Sequence, residues 1–270
     1  MDYHGLAGRC RGVAGGGRAG RCGSLAHFIT SAIVCSIRAH GEHGGVARVL
    51  TPDHGLVAGY VRGARSRGMR PVLIPGNRVQ VDYRARTEEQ LASLTVELSH
   101  SVAPILAEPL PAAAIEWLCA LTAVSLPEGT AYPALHQAFG AVLDAVEAAP
   151  TARGWAVALV RYELLLLEQL GFGLDLSGCA VAGTGPETVT HISPRTGAGV
   201  SGAGAAGYEA RLLALPAFLR DRSMDAEWPE ILLGLLLTRH FLERSVLTER
   251  RADVLASRDR LVDRLKRAVA

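Results

Sequence analysis

The spacing of apolar residues changes once along this 270-residue chain, near Ser101, and the change divides it into two kinds of structure. Between Phe28 and Ser101 the apolar runs are short and β-branched: Ser31 to Arg38, Val46 to Leu50, Leu56 to Arg62, Asn77 to Arg86 and Leu91 to Leu98. Val79, Val81 and Tyr83 alternate with Arg78, Gln80, Asp82 and Arg84, the period of two that a half-buried strand requires. Turn-forming stretches such as Thr51-Pro52-Asp53-His54-Gly55 separate the runs. Five short strands with glycine-rich turns predict a small barrel, and a five-stranded OB-like barrel is the commonest solution of that kind.

After Ser101 the pattern becomes helical. Ile105 to Val124 is rich in Ala and Leu, and Tyr132 to Ala148 places Leu135, Phe139, Val142, Leu143 and Val146 at three- and four-residue spacing. Trp155 to Leu170 is apolar nearly all round apart from Arg161, Glu163, Glu168 and Gln169, so it belongs at the centre of its domain. Further helices are expected at Tyr208 to Leu219, Trp228 to Leu247 and about Ser257 to Val269. Residues 175–207 are irregular, glycine-rich and without periodicity, and read as either an insertion with its own shape or a mobile stretch. The fold class is therefore α+β: residues 28–101 form the OB-like barrel, and residues 102–270 a mostly helical domain with the insertion. Residues 1–27, basic and rich in glycine, are read as a disordered tail or a misassigned start.

Charge is distributed unevenly across these segments. The net charge of +2 combines +3 in residues 1–27, +6 in residues 28–86 and −7 in residues 87–270. In the middle segment nine arginines face only Glu42, Asp53 and Asp82. A basic module joined to an acidic body is the footprint of a polyanion binder. Lys266 is the only lysine, so the preference for arginine reflects genome composition rather than the site. No apolar run approaches the roughly 18 residues of a membrane span, so a soluble chain is expected.

The chemistry-bearing motifs are weak with one exception. His40, Glu42, His43 and His54 lie in turns without the i, i+4 helical frame of a metal pair. Gly183-Thr184-Gly185-Pro186 lacks the Gly-Lys-Ser/Thr ending of a phosphate loop, and no Gly-x-Ser-x-Gly elbow occurs. The five cysteines, Cys10, Cys22, Cys35, Cys119 and Cys179, form no Cys-x-x-Cys pair, and reduced thiols are expected, with Cys35 and Cys119 in the core. The exception is Arg62, Arg65, Arg67 and Arg70, four guanidinium groups within nine residues of an expected inter-strand loop. Such donor forks suit phosphate oxygens. Arg38, Arg48, Arg84 and Arg86 add to the charge, and Arg78 lies on the same barrel. A solvated surface without a ligand is the plain alternative to a nucleic-acid groove. With Tyr60 and Tyr83 the only strand aromatics, contact along the backbone is expected rather than sequence readout.

These residues also carry a family resemblance. Gly41-Glu42, Leu50-Thr51, His54-Gly55 and Gly63-Ala64-Arg65 resemble the amino-terminal barrel of RecO-type recombination mediators. Arg161-Tyr162-Glu163-Leu164 through Leu170-Gly171-Phe172 is similar to that family's buried helix, and Asp175-Leu176, Cys179 and Ile192-Ser193-Pro194-Arg195-Thr196-Gly197 are similar to the stretch after it. The resemblance runs in order from about Phe28 to Val269. It implies a cytoplasmic, nucleoid-associated protein of recombinational DNA repair, not an enzyme. Such a protein binds single- and double-stranded DNA, anneals complementary strands and helps load a RecA-type recombinase. Its implied partners are a RecR-type mediator and the carboxy-terminal tail of the single-strand binding protein. That acidic, apolar tail calls for an apolar groove with a cationic rim, such as Arg153 or Arg161 near Trp155, or the set Arg258, Arg260 and Arg264. Some members hold zinc with four cysteines in the segment matching 179–207; Cys179 stands alone here, so neither metal nor cofactor is expected. An OB-fold module that binds RNA or associates with the ribosome is the alternative that the basic barrel alone leaves open, and an enzyme with a site in 175–207 is a third.

Overall fold

The computed structural model describes residues 26–85, 90–149, 151–221, 225–248 and 252–269. Five strands come first: β1 (Ala26–His40), β2 (Gly44–Thr51), β3 (Gly55–Val61), β4 (Arg78–Ala85) and β5 (Ala92–His100). They close into a barrel in the order β1-β2-β3-β5-β4. Closure depends on the length of β1. Its first half, Ala26 to Ile33, pairs with β4 and its second half, Ile33 to His40, with β2. The register breaks between Val34 and Ser36, a bulge that lets one strand turn between two neighbours. β1 thus begins two residues before the expected boundary, with Ala26 and His27 opposite Ala85 and Arg84. Small β-branched side chains, among them Val34, Val49, Val57, Val79 and Val81, fill the interior, as a narrow barrel demands.

The helical domain holds α1 (Pro109–Ser125), α2 (Pro133–Ala148), α3 (Ala152–Gln169), α4 (Gly202–Ala205), α5 (Ala217–Arg220), α6 (Trp228–Ser245) and α7 (Ala252–Val269). As its all-round apolar pattern predicts, α3 is central, with Trp155, Leu159, Tyr162 and Leu166 buried. Glu163 on the same helix is buried too, and it is fully satisfied. Its carboxylate accepts hydrogen bonds from Trp117 Nε1 at 2.7 Å and from Arg258 Nε and Nη2 at 2.9 and 2.8 Å, and one from the Thr238 hydroxyl. Arg258 also donates to the Leu235 carbonyl at 2.7 Å. One buried ion pair thereby joins α1, α3, α6 and α7.

Barrel and helices share a core. Ile33, Cys35, Leu50 and Leu56 leave the barrel interior and pack with the helical residues. Cys35 and Cys119 lie in this shared core as unpaired thiols, and burial pushes Cys35 up to about 12 and Cys119 well above its ordinary value. Polar clamps bracket the seam. Arg48 donates to the Ala123 carbonyl and pairs with Glu128 at 2.9 Å, and Arg78 reaches the Gly140 carbonyl at 3.0 Å and Asp144 at 2.6 Å. Gly55 has φ +66°, and a Cβ there would lie 1.8 Å from the Thr130 carbonyl oxygen, so the β2–β3 turn can meet the helical domain only as glycine.

One helical-domain expectation is resolved and another requires correction. Residues 175–207 have a shape of their own: β6 (Val189–Ile192) and β7 (Gly199–Ser201) lie within them and, with β8 (Leu213–Ala214) just beyond, form a sheet in the order β7-β6-β8. The expected helix from Tyr208 to Leu219 does not form. Leu213 and Ala214 pair with Ile192 and His191, and Pro216 confines α5 to the four residues that follow it. The competing sheet contact, absent from any local pattern, decides the outcome. Among the described residues no helix is long and apolar enough to cross a membrane.

Candidate nucleic-acid interface

The outer face of β1, β2 and β3 can be built from register alone. Arg38 lies opposite Val46, and Val46 opposite Tyr60, so these three form one row across the strands. At the end of the same face His40 lies opposite Gly44. The Tyr60 ring extends over Gly44 and meets the His40 ring edge-on, with centroids 6.0 Å apart and planes at 78°.

The loop after β3 is anchored from beneath. Ala64 and Leu73 are buried in the barrel core, with Met69 and Val72 packed against it. The Ser66 hydroxyl accepts the Met69 N–H at 3.2 Å, and the Arg70 N–H donates to the Ser66 carbonyl at 3.1 Å. With its apolar side chains turned inward, the loop leaves Arg62, Arg65, Arg67 and Arg70 exposed. It also docks on the β1–β2 turn: the Arg65 N–H donates to the His43 carbonyl at 3.3 Å and its Nη1 to the Glu42 carbonyl at 3.2 Å. The arginine loop, the β1–β2 turn and the Arg38–Tyr60 row are therefore one continuous surface. No carboxylate pairs with Arg38, Arg62, Arg65, Arg67 or Arg70 among the described residues.

Of the remaining arginines expected on this surface, two are engaged by carboxylates of the fold. Arg48 is committed to Glu128 in the domain seam. Arg84 grips Asp82 through two hydrogen bonds, at 3.0 and 2.7 Å, and with His27 it holds the Asp82 carboxyl below its ordinary range. Charge alone assigns both to DNA, but carboxylates of the fold already pair with them. Arg86 lies outside the described residues. Tyr83 is away from the row: it stacks on Phe28 at 4.7 Å, and Phe28 stacks on His54 at 3.7 Å.

On the helical side, a groove of about 370 Å³ runs between α2 and α3, lined by Val142, Leu165, Leu174 and Leu219. Arg161 forms part of its wall and donates to the Phe218 carbonyl at 3.2 Å. Arg153 is held by Glu227 at 2.5 Å and Asp225 at 3.6 Å, and Trp155 is buried rather than beside a groove. Of the carboxy-terminal set, Arg258 is the buried partner of Glu163, Arg260 pairs with Glu116 at 3.4 Å and Arg264 donates to the Pro109 carbonyl at 2.6 Å. A carboxylate in the middle of an apolar helix was the available signal for the Glu163–Arg258 pair, since a buried charge needs a partner.

Cys179 lies in the insertion, where its Sγ accepts the Ser201 N–H at 3.1 Å and the Ala182 N–H at 3.3 Å. Hydrogen bonds from Ser201, side chain before backbone, and then from the Ala182 N–H bring the thiol down to about 6. No cluster of three or more His, Cys, Asp or Glu forms among the described residues. In a Cys10→Ser/Cys22→Ser variant, thiolate absorbance should rise with a midpoint near pH 6, and Cys179→Ser should abolish that rise. Because this pKa is lower in the fold than the ordinary value of 9, the thiolate's stabilisation is complete above pH 9 and fades as pH falls through 6. The stability gap between the parent and the Cys179→Ser variant should therefore widen from pH 6 to pH 9.

Comparison with known families agrees with this architecture. The family model for the Recombination protein O N terminal matches residues 24–102, and that for the Recombination protein O C terminal matches residues 109–252. The DNA repair protein RecO of Rhodospirillum centenum is 46% identical over 239 residues, covering 88% of this chain and 94% of that protein. The RecO proteins of Rhodospirillum rubrum and a Ruegeria species are 42% and 40% identical, covering 87% and 88% of this chain and 94% and 97% of their own lengths. The chain belongs to the RecO family of DNA repair proteins.

Proposed function

We propose that this protein is a non-enzymatic recombination mediator that binds single- and double-stranded DNA through the Arg38, Arg62, Arg65, Arg67 and Arg70 surface. On this reading it anneals complementary strands and helps load a RecA-type recombinase in the cytoplasm, at the nucleoid. The observation that carries the proposal is the continuous surface of exposed arginines on the 62–70 loop and the β1–β2 turn. Annealing requires two polyanions to approach each other, and guanidinium groups that track phosphates reduce their repulsion while leaving base edges free. The test is the rate at which complementary oligonucleotides pair. The protein should accelerate pairing, and replacing Arg62, Arg65, Arg67 and Arg70 with Ala should remove the acceleration. Acceleration unchanged by the replacement would overturn the assignment, and structured RNA displacing DNA at far lower concentration would favour the RNA-binding alternative.

The α2–α3 groove is the proposed seat of the acidic, apolar tail of the single-strand binding protein. Apolar side chains would enter between Val142 and Leu165 while Arg161 meets a carboxylate. Arg153 drops out of this proposal because it does not line the groove, whereas Arg161 does. Replacing Arg161 with Ala should weaken binding of a fluorescent acidic tail peptide by about tenfold, the scale of one charge-assisted hydrogen bond. An unchanged affinity would place the tail elsewhere. A RecR-type mediator is proposed as a further partner on family membership alone.

A further inference from the structure

Tyr60 differs from the other barrel aromatics. Phe28 and Tyr83 stack on one another and pack against the barrel core. Tyr60 packs against neither hydrophobic core among the described residues, and its hydroxyl has no hydrogen-bond partner among them. The outer half of its ring lies over the Gly44 backbone, where an added Cβ would come within 2.2 Å of the hydroxyl and 2.4 Å of Cε2 and Cζ. The missing side chain at position 44 is what lets the ring lie down on the strand. Arg38 shares its row and the exposed Arg62 follows it by two residues. A half-buried aromatic ring outside both cores, held flat on a glycine among guanidinium groups that no carboxylate pairs among the described residues, suits an unpaired base whose own phosphates those groups would hold.

We infer that Tyr60, seated on Gly44 and edged by His40, stacks a nucleobase and gives this surface a preference for single-stranded over duplex DNA. The inference rests on the DNA-binding reading proposed above and goes beyond it. Phosphate contacts alone are available on both single strands and duplexes, whereas bases already stacked within a duplex cannot lie on the ring. Stacking is not electrostatic, so its loss lowers affinity without changing the salt dependence.

The test compares full-length protein binding to an oligothymidine strand carrying one 2-aminopurine and to a duplex of equal length. Tyr60→Leu should weaken single-strand binding on the order of tenfold, leave duplex binding in place, and abolish the fluorescence change of the stacked 2-aminopurine. Tyr60→Phe should restore both single-strand affinity and the fluorescence change. Gly44→Ala, which lifts the ring from the strand while keeping the tyrosine, should reproduce the Tyr60→Leu result. Equal losses on both DNAs, or no loss on either, would overturn the stacking role while leaving the arginine surface intact. The separate failure, salt dependence unaffected by the fourfold arginine replacement, would remove the DNA-binding reading itself. Thermal melting of each variant confirms that the barrel is folded.

Discussion

Replacing Arg258 with Met should lower the stability of the folded protein by about 3–5 kcal/mol, the usual cost of leaving one member of a buried ion pair without its partner. Arg258 and Glu163 are 1% and 0% exposed. Removing the guanidinium strands a carboxylate beside Trp117 and Thr238 in a core without compensating charge. Proteins of this kind are stable by roughly 5–15 kcal/mol in all, so the loss is a large share of what holds the fold. The double variant Glu163→Met/Arg258→Met separates pairing from burial. It should recover most of the loss, because a pair of apolar residues replaces a buried ion pair at little net cost. Recovery should be incomplete, since Trp117 Nε1 loses its acceptor, at about 1–3 kcal/mol for a buried group left unsatisfied, whereas the Thr238 hydroxyl keeps the Gly234 carbonyl at 3.1 Å. Urea unfolding of the three proteins measures both quantities. A single-variant loss below about 1 kcal/mol would mean that α7 is not held by this pair.

The second large effect concerns the arginine loop. Each guanidinium that neutralises a phosphate on a single strand contributes about 0.7 to the slope of log affinity against log salt. Replacing Arg62, Arg65, Arg67 and Arg70 with Ala should therefore flatten the slope by about 3 units at most. Extrapolated from 1 M salt, where the electrostatic contribution vanishes, the same number corresponds to a loss of at most about 10⁴ in affinity at 50 mM. Because all four side chains are exposed and none pairs with a carboxylate among the described residues, the unfolding midpoint should hardly move. Arg84→Ala makes the matched control. Its charge is already neutralised by Asp82, so the slope should remain that of the parent protein.

How far the sequence could be read depended on the range of the interactions involved. Alternation placed β4 within a residue or so of its ends, and three- and four-residue spacing placed α2, because both patterns record which face of a single element is buried; α3 is legible instead from being apolar nearly all round. The length of β1 was hidden because pairing to two neighbours leaves no local trace beyond Ala26–Thr30, whose burial is incomplete. A helix is expected at Tyr208 to Leu219, but contact with β6 and the position of Pro216 prevail. At the site, the density of arginines in the 62–70 loop was visible directly. The commitment of Arg48 to Glu128, 80 positions away in sequence, was not. Charge counting treats every arginine alike, and only the fold distinguishes those that clamp its seam from those left to meet a ligand.

The most direct measurement of the central claim is amide hydrogen exchange of the full-length protein with and without a single-stranded oligonucleotide. Bound DNA should slow exchange in the segments around residues 38–46 and 60–70, the strand ends, turn and loop that carry Arg38, Tyr60 and the four loop arginines. Protection confined to the β1–β4 face around Arg84 and Asp82, or to the helical domain, would show that DNA binds away from the arginine surface.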